Sequence, residues 1–266
     1  MTNKEMLKIA MEQSAEDIGC SYEDLASDRN VSVPFRMGKN AKKFMKEDTT
    51  CSFISYGKNI VAASIPELSE LVSEYIARYK FYHCFEPPNM QWLNERLGQK
   101  GQKICFMCEY YLPDLNRLPE RTCAYEMRVL EQSDFADLYR PEWSNALCEE
   151  RKHLDVLGVG AYDGTKQVGF AACSADAELM WQIGVDVLAE YRQQGIASAL
   201  TCRLTREILA RDKVPFYCTA WSNVRSVGNA IKSGFVPAWV EMHVKPSARV
   251  DELNEEREDQ PSSSAD

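Results

Sequence analysis

The residues with the most evident chemistry lie together in the run Val187, Leu188, Ala189, Glu190, Tyr191, Arg192, Gln193, Gln194, Gly195, Ile196 and Ala197. Upstream, the apolar run Met180–Val187 predicts a strand. Downstream, Ile196, Leu200, Leu204 and Ile208 fall four residues apart and predict a long helix with one apolar stripe. A polar turn between a strand end and a helix start aims several unpaired backbone N–H groups at one point, backed by the positive end of the helix dipole. Gly195 has no side chain and lets a ligand approach the backbone. The chemistry is anion binding, and a phosphate or pyrophosphate is the natural occupant.

The elements around this turn divide the chain. Before it come a predicted strand over residues 125–130, helical stretches over 133–139 and 141–151, and strands over 155–162 and 167–173 joined by the turn Asp163-Gly164. After it come a strand over 215–221, a short helix over 224–232 and a final strand or strand pair over 235–245. Residues 113–121 hold two prolines and four charges, which marks residues 113–122 as a linker. The expected organisation is an N-terminal α+β domain (1–112), the linker, a second domain (123–245) and an acidic, disordered tail (246–266).

An apolar fraction of 45% is enough for packed cores. No apolar stretch approaches the roughly 18 residues of a membrane helix. The first residues, Met1 to Glu5, lack the apolar core of a signal peptide, so a cytoplasmic location and no membrane partner are expected. The ten cysteines are scattered and read as buried thiols. Cys105 and Cys108 have half-zinc-site spacing, but residues three apart on a strand face opposite sides, so no metal is expected. The net charge of −9 resides mainly in the tail, which carries −5 and leaves −4 for the body. A mildly acidic body argues against nucleic acid and is compatible with a cationic amine.

The element order from Tyr125 to Lys245 resembles the GNAT superfamily of acetyl-CoA-dependent N-acyltransferases. The family's cofactor motif, Arg/Gln-x-x-Gly-x-Gly/Ala, is matched by Arg192-Gln193-Gln194-Gly195-Ile196-Ala197. Val187 lies five residues before the arginine, where the family's splayed strand offers backbone to pantetheine. A second segment, from Asn223 and Ser226 to Gly234 and Phe235, is similar to the family's second cofactor segment. The resemblance implies a mixed α+β fold, with the GNAT fold in the C-terminal half. It implies acetyl-CoA as co-substrate, with the backbone of Gln193, Gln194, Gly195, Ile196 and Ala197 on the pyrophosphate and Asn223 on the pantetheine or acyl region. Arg225 and Lys232 are weaker candidates for the 3′-phosphate. Arg192 either contacts the cofactor through its backbone or pairs with an acid such as Glu190.

Direct attack of an amine on a thioester needs a deprotonated amine, a stabilised oxyanion and a proton for the thiolate. The resemblance places the oxyanion donor at the amide of Val187 or Leu188. The family's usual acid, a tyrosine seven residues after the motif asparagine, is here Ala230. Tyr217, with Cys218 beside it, is the candidate donor, against a core role for that tyrosine. Asp186, on the same face as Gln182 and Gly184 by strand alternation, is the candidate base, against a surface or capping role. Trp143 and Asn145, flanked by Glu142, Glu149 and Glu150, are the candidate lip for an amine, against a solvated helix face.

The N-terminal half reads strand, helix, strand, helix, strand over residues 51–112, with residues 81–85 as the middle strand. It has no phosphate turn, and reads either as a degenerate GNAT-like half or as an unrelated α+β cap. The expected function is acetyl transfer from acetyl-CoA to a primary amine of a small molecule or peptide. The alternative is a non-catalytic acetyl-CoA-binding sensor or scaffold module.

Overall fold

The structure, a computed structural model of the 266-residue chain, describes residues 1–43 and 48–258. Its elements run α1 (Asn3–Ile18), α2 (Tyr22–Ala26), β1 (Val31–Pro34), β2 (Cys51–Ser55), β3 (Val61–Ser64), α3 (Ser69–Arg78), α4 (Pro87–Gly98), β4 (Gln102–Pro113), β5 (Glu126–Glu131), β6 (Asp155–Asp163), β7 (Lys166–Ser174), β8 (Met180–Val187), α5 (Ile196–Leu209), β9 (Val214–Thr219), α6 (Val224–Lys232), β10 (Phe235–Pro246) and α7 (Ser247–Glu258). Among the described residues no helix is long and apolar enough to cross a membrane.

Two compact units emerge, and they do not follow the expected order of domains. One takes in Met1–Gln13, Lys42, Lys43 and Cys108–Ala238; the other takes in Ser14–Ala41 and residues 48–107 and 239–258. Strands β4 and β10 therefore each contribute to both units. The part of α1 up to Gln13 belongs to the first unit, and Asn3 ties its start to residues 114–115. Its Nδ2 donates to Asp114 at 2.6 Å, and its Oδ1 accepts the Leu115 N–H at 2.9 Å.

In the first unit the strand order is β4–β9–β8–β7–β6–β5, antiparallel throughout except for the parallel pair β8 and β9. The predicted stripe of α5 is the anchor of its core. Ile196, Leu200, Leu204 and Ile208 are all buried, against Val159, Ala171 and Ile183 of the sheet. Full burial of each such side chain stabilises by about 1.5–3 kcal/mol. A smaller cluster of Phe135, Trp143, Leu147 and Phe170 forms a second core.

Two corrections concern this unit. Residues 113–122, expected to be a linker, are held down: the Asp114 N–H donates to Gly234 O, and Arg206 donates to the carbonyls of Leu118 and Pro119. The helices expected over 133–139 and 141–151 are only the 3-10 turns Gln132–Asp134, Pro141–Trp143 and Glu149–Leu154. Arg140 precedes a proline and is extended, which separates the two stretches, and Arg151 is non-helical (φ −129°) inside the last.

In the second unit the order is β1–β3–β2–β10, with β1 parallel to β3. Phe53, Tyr75, Leu93 and Met242 belong to one buried core of strand and helix residues. Residues 81–85 are a 3-10 turn rather than a strand, with the Cys84 carbonyl held by the Tyr75 hydroxyl at 2.6 Å. The parallel neighbour of β3 thus comes from earlier in the chain, whereas that of β8 comes from later. The strand order of this unit, with the parallel partner β1 at the sheet edge, differs from that around β8 and β9. Residues 247–258, expected to be disordered, form α7; residues 259–266 of the expected tail lie outside the described residues.

Candidate active site

Strands β8 and β9 are paired only at Met180, Trp181 and Gln182, opposite Val214, Pro215 and Phe216. Beyond Gln182 they part, while β8 remains paired to β7 through Val187. The gap opens into a cleft of about 600 Å³ lined by both strands, the turn before α5 and the first turns of α6.

The register decides which amides face this gap. The Leu188 N–H donates to Val168 O at 3.0 Å. Alternation along an antiparallel ladder then turns the N–H groups of Val187, Val185 and Ile183 away from β7, towards the gap. Of the two amides expected as oxyanion donors, Val187 is available and Leu188 is already bonded.

The turn before α5 has the backbone geometry of an anion cradle. Gly195 caps the helix with φ +80° and no side-chain hydrogen bond, and Gln193 is also left-handed at φ +64°. A Cβ added to Gly195 would meet nothing within 4 Å, so the space before it is open. The first N–H groups of α5, from Ile196 onward, have no intrahelical acceptors. Left-handed residues in such a turn make concave sets of N–H groups suited to phosphate. The Ile196 side chain itself is buried in the core. Arg192 donates Nε–H to Val187 O at 3.2 Å and so ties the turn to the strand end. Its expected alternative partner, Glu190, pairs instead with Lys166 at 2.9 Å. The Gln194 side chain accepts from the Tyr125 hydroxyl at 2.8 Å.

Asn223 is the N-cap of α6 and its Oδ1 accepts the Ser226 N–H at 3.2 Å. Both residues line the cleft, as do Arg225, Tyr217, Cys218 and Asn145. Burial drives the Tyr217 phenol pKa above its ordinary value, with Ser226 and Asn229 opposing through hydrogen bonds. Its hydroxyl lies 2.9 Å from Ser226 Oγ. Sequence reasoning missed Asn229 and Thr219, which also line the cleft. Asn229 lies three residues after Ser226 and so shares its helix face, a spacing that was open to be read.

Asp186 accepts hydrogen bonds from the loop over residues 145–146. Its Oδ2 accepts the N–H groups of Asn145 and Ala146, both at 2.9 Å, and its Oδ1 accepts Asn145 Nδ2 at 2.6 Å. Burial raises its pKa, and these three bonds oppose the rise. Beside it, a Cβ on Gly184 would lie 1.9 Å from Asn145 O, so only glycine admits the lip this close to β8. Trp143 does not present a face to the cleft. It is 4% exposed and meets Phe170 edge-on, with centroids 6.2 Å apart, because its apolar surface is worth more in the small core. Among the described residues no group of three or more His, Cys, Asp or Glu could hold a metal ion.

The site lies in a mixed sheet whose parallel pair, β8 and β9, splays beside an uncapped helix N-terminus. Residues 124–235 match the family described as Acetyltransferase (GNAT) family, and this C-terminal part of the chain belongs to it. No curated protein matches the chain. Solved structures similar to it include a putative GNAT acetyltransferase from Novosphingobium aromaticivorans DSM 12444, 18% identical over 54% of this chain and 66% of that one (TM-score 0.41). A GNAT-family acetyltransferase from Colwellia psychrerythraea is 18% identical over 54% and 57% (TM-score 0.39). A GCN5-related N-acetyltransferase-like protein from Streptococcus suis 89/1591 is 17% identical over 74% and 83% (TM-score 0.45). The chain spans less than two thirds of the length of the first two.

Proposed function

We propose that the domain transfers an acetyl group from acetyl-CoA to a primary amine of a small molecule or peptide. The observation that carries this reading is the splayed β8–β9 cleft opening beside the uncapped start of α5. The amides from Gln193 to Ala197 hold the pyrophosphate, and Asn223 faces the pantetheine with its Nδ2. The acyl carbonyl accepts from the Val187 N–H, a fixed dipole that strengthens as charge develops on oxygen.

The amine attacks as the free base and releases its proton to water. Tyr217 supplies the proton for the departing thiolate, since a buried phenol remains protonated at neutral pH. Asp186 acts as a positioning residue. Taking a proton there would break the hydrogen bonds that hold Asn145 and Ala146 at the cleft edge. Mass spectrometry of a panel of primary amines incubated with protein and acetyl-CoA tests the reading, with N-acetylated product expected for at least one. Ala230 favours a second reading, an acetyl-CoA sensor, which predicts bound cofactor and no product on any amine.

A further inference from the structure

The helix position that carries a tyrosine in the resembled family is Ala230, which is fully buried and packed in the same core as Tyr217 and Phe235. The phenol at this cleft therefore comes from strand β9, and it needs a different support. Ser226 Oγ lies 2.9 Å from Tyr217 Oη. Asn229, one turn on, lies against the same hydroxyl and donates Nδ2–H to Thr201 Oγ1 at 3.1 Å. Thr201 in turn donates to Ala197 O at 2.8 Å, in the first turn of α5. A run of side chains thus joins the phenol to the helix end that forms the anion cradle.

We propose that Ser226 is a positioning residue for the Tyr217 proton donor, with Asn229 and Thr201 fastening that pair to the first turn of α5. This replaces the cofactor contact expected of Ser226 from the sequence, and it rests on the acyl-transfer reading above. In the step it serves, the amine nitrogen bonds to the acyl carbon and the carbon–sulfur bond breaks with its electron pair on sulfur. The Tyr217 O–H proton passes to that sulfur, and the proton lost by the amine restores the phenol through water. Ser226 accepts the phenol hydrogen bond before the transfer and donates to the phenolate oxygen after it, by rotation of its own hydroxyl.

The groups that set the charge around the phenol come from several elements. Asp186 on β8 and Cys218 on β9 oppose its ionisation. Tyr111, its cross-strand partner on β4, donates to Glu109 at 2.6 Å. Arg192 and Arg225 line the same cleft. Ser226 Oγ, 2.9 Å from the hydroxyl, is in direct hydrogen-bond contact with it, so its removal should register at Tyr217 first.

The test uses full-length protein with Ser226→Ala, Ser226→Thr, Tyr217→Phe and the double variant. Ser226→Ala should lower kcat about three- to tenfold, the worth of one neutral hydrogen bond, with KM for acetyl-CoA within about twofold. Its ultraviolet tyrosinate titration, taken as the difference from Tyr217→Phe, should move to higher pH, and Ser226→Thr should restore both readouts. The double variant should be no slower than Tyr217→Phe. A raised KM with unchanged kcat, an unmoved titration, or losses that multiply in the double variant would each overturn the proposal. If native protein acetylates no amine, the acyl-transfer reading falls and the catalytic role with it. The titration does not depend on turnover, so it separates that failure from a failure of the Ser226 contact.

Discussion

Replacing Gly195 by alanine isolates the backbone contribution of the anion turn. Gly195 sits at φ +80°, ψ 2°, a conformation that costs a residue with a Cβ about 1–2 kcal/mol. No atom lies within 4 Å of the added Cβ, so steric conflict inside the protein adds nothing to that figure. The cost appears in one of two places. If the turn keeps its shape, stability falls by that amount, a few degrees in Tm for a domain of this size. If the turn relaxes, its N–H groups lose their common focus and affinity for coenzyme A falls about 5- to 30-fold. Gly195→Asn, which tolerates left-handed backbone better, should recover most of either loss. Calorimetric titration with coenzyme A, beside thermal melting of the same samples, separates the two. Native affinity and native Tm in Gly195→Ala would refute the reasoning, as would a Gly195→Asn variant no better than alanine.

Three further outcomes follow from the same geometry. Tyr217→Phe should lower kcat by about 10²–10⁴ while leaving coenzyme A affinity intact, and in native protein the alkaline loss of activity should lie above pH 10. Ala230→Tyr should destabilise by about 1–3 kcal/mol in urea melts and fail to rescue Tyr217→Phe, because the position is closed core. Asp186→Asn should raise KM for the amine about tenfold by loosening the lip at Asn145, the effect of losing one charge-assisted hydrogen bond. The raised folded pKa of Asp186 gives stability that is full below 3.8 and lost as pH rises through the folded value. The Tm advantage of native protein over Asp186→Asn should therefore shrink with rising pH across that window.

Much of the site was legible because its signals are local. The stripe from Ile196 to Ile208 and the position of Gly195 mark a strand–turn–helix joint without reference to distant residues, and both lie where that pattern requires. Asn223 was legible as a helix start, since asparagine favours N-caps. What was not legible depended on partners far along the chain. Trp143 was read as part of an acidic lip, but its ring is claimed by Phe170, 27 residues later. The sequence offers Asp186 as a base or as a surface or capping residue, and only the fold brings the N–H groups of residues 145 and 146 around it. The aromatic run over residues 81–85 has strand propensity, yet the Tyr75 hydroxyl and the following Pro87 leave it as a 3-10 turn. Tail composition suggested disorder over 247–258, where Arg249 pairs with Glu252 on a helix. Composition does not see such spacing.

The most direct test is thiol release from acetyl-CoA, followed on native protein and Tyr217→Phe with the same panel of primary amines, with calorimetric binding of coenzyme A to both. The account predicts equal binding by the two proteins, amine-dependent thiol release by native protein, and a rate lower by at least about a hundredfold in the variant. Tight coenzyme A binding with no amine-dependent release by native protein would contradict it.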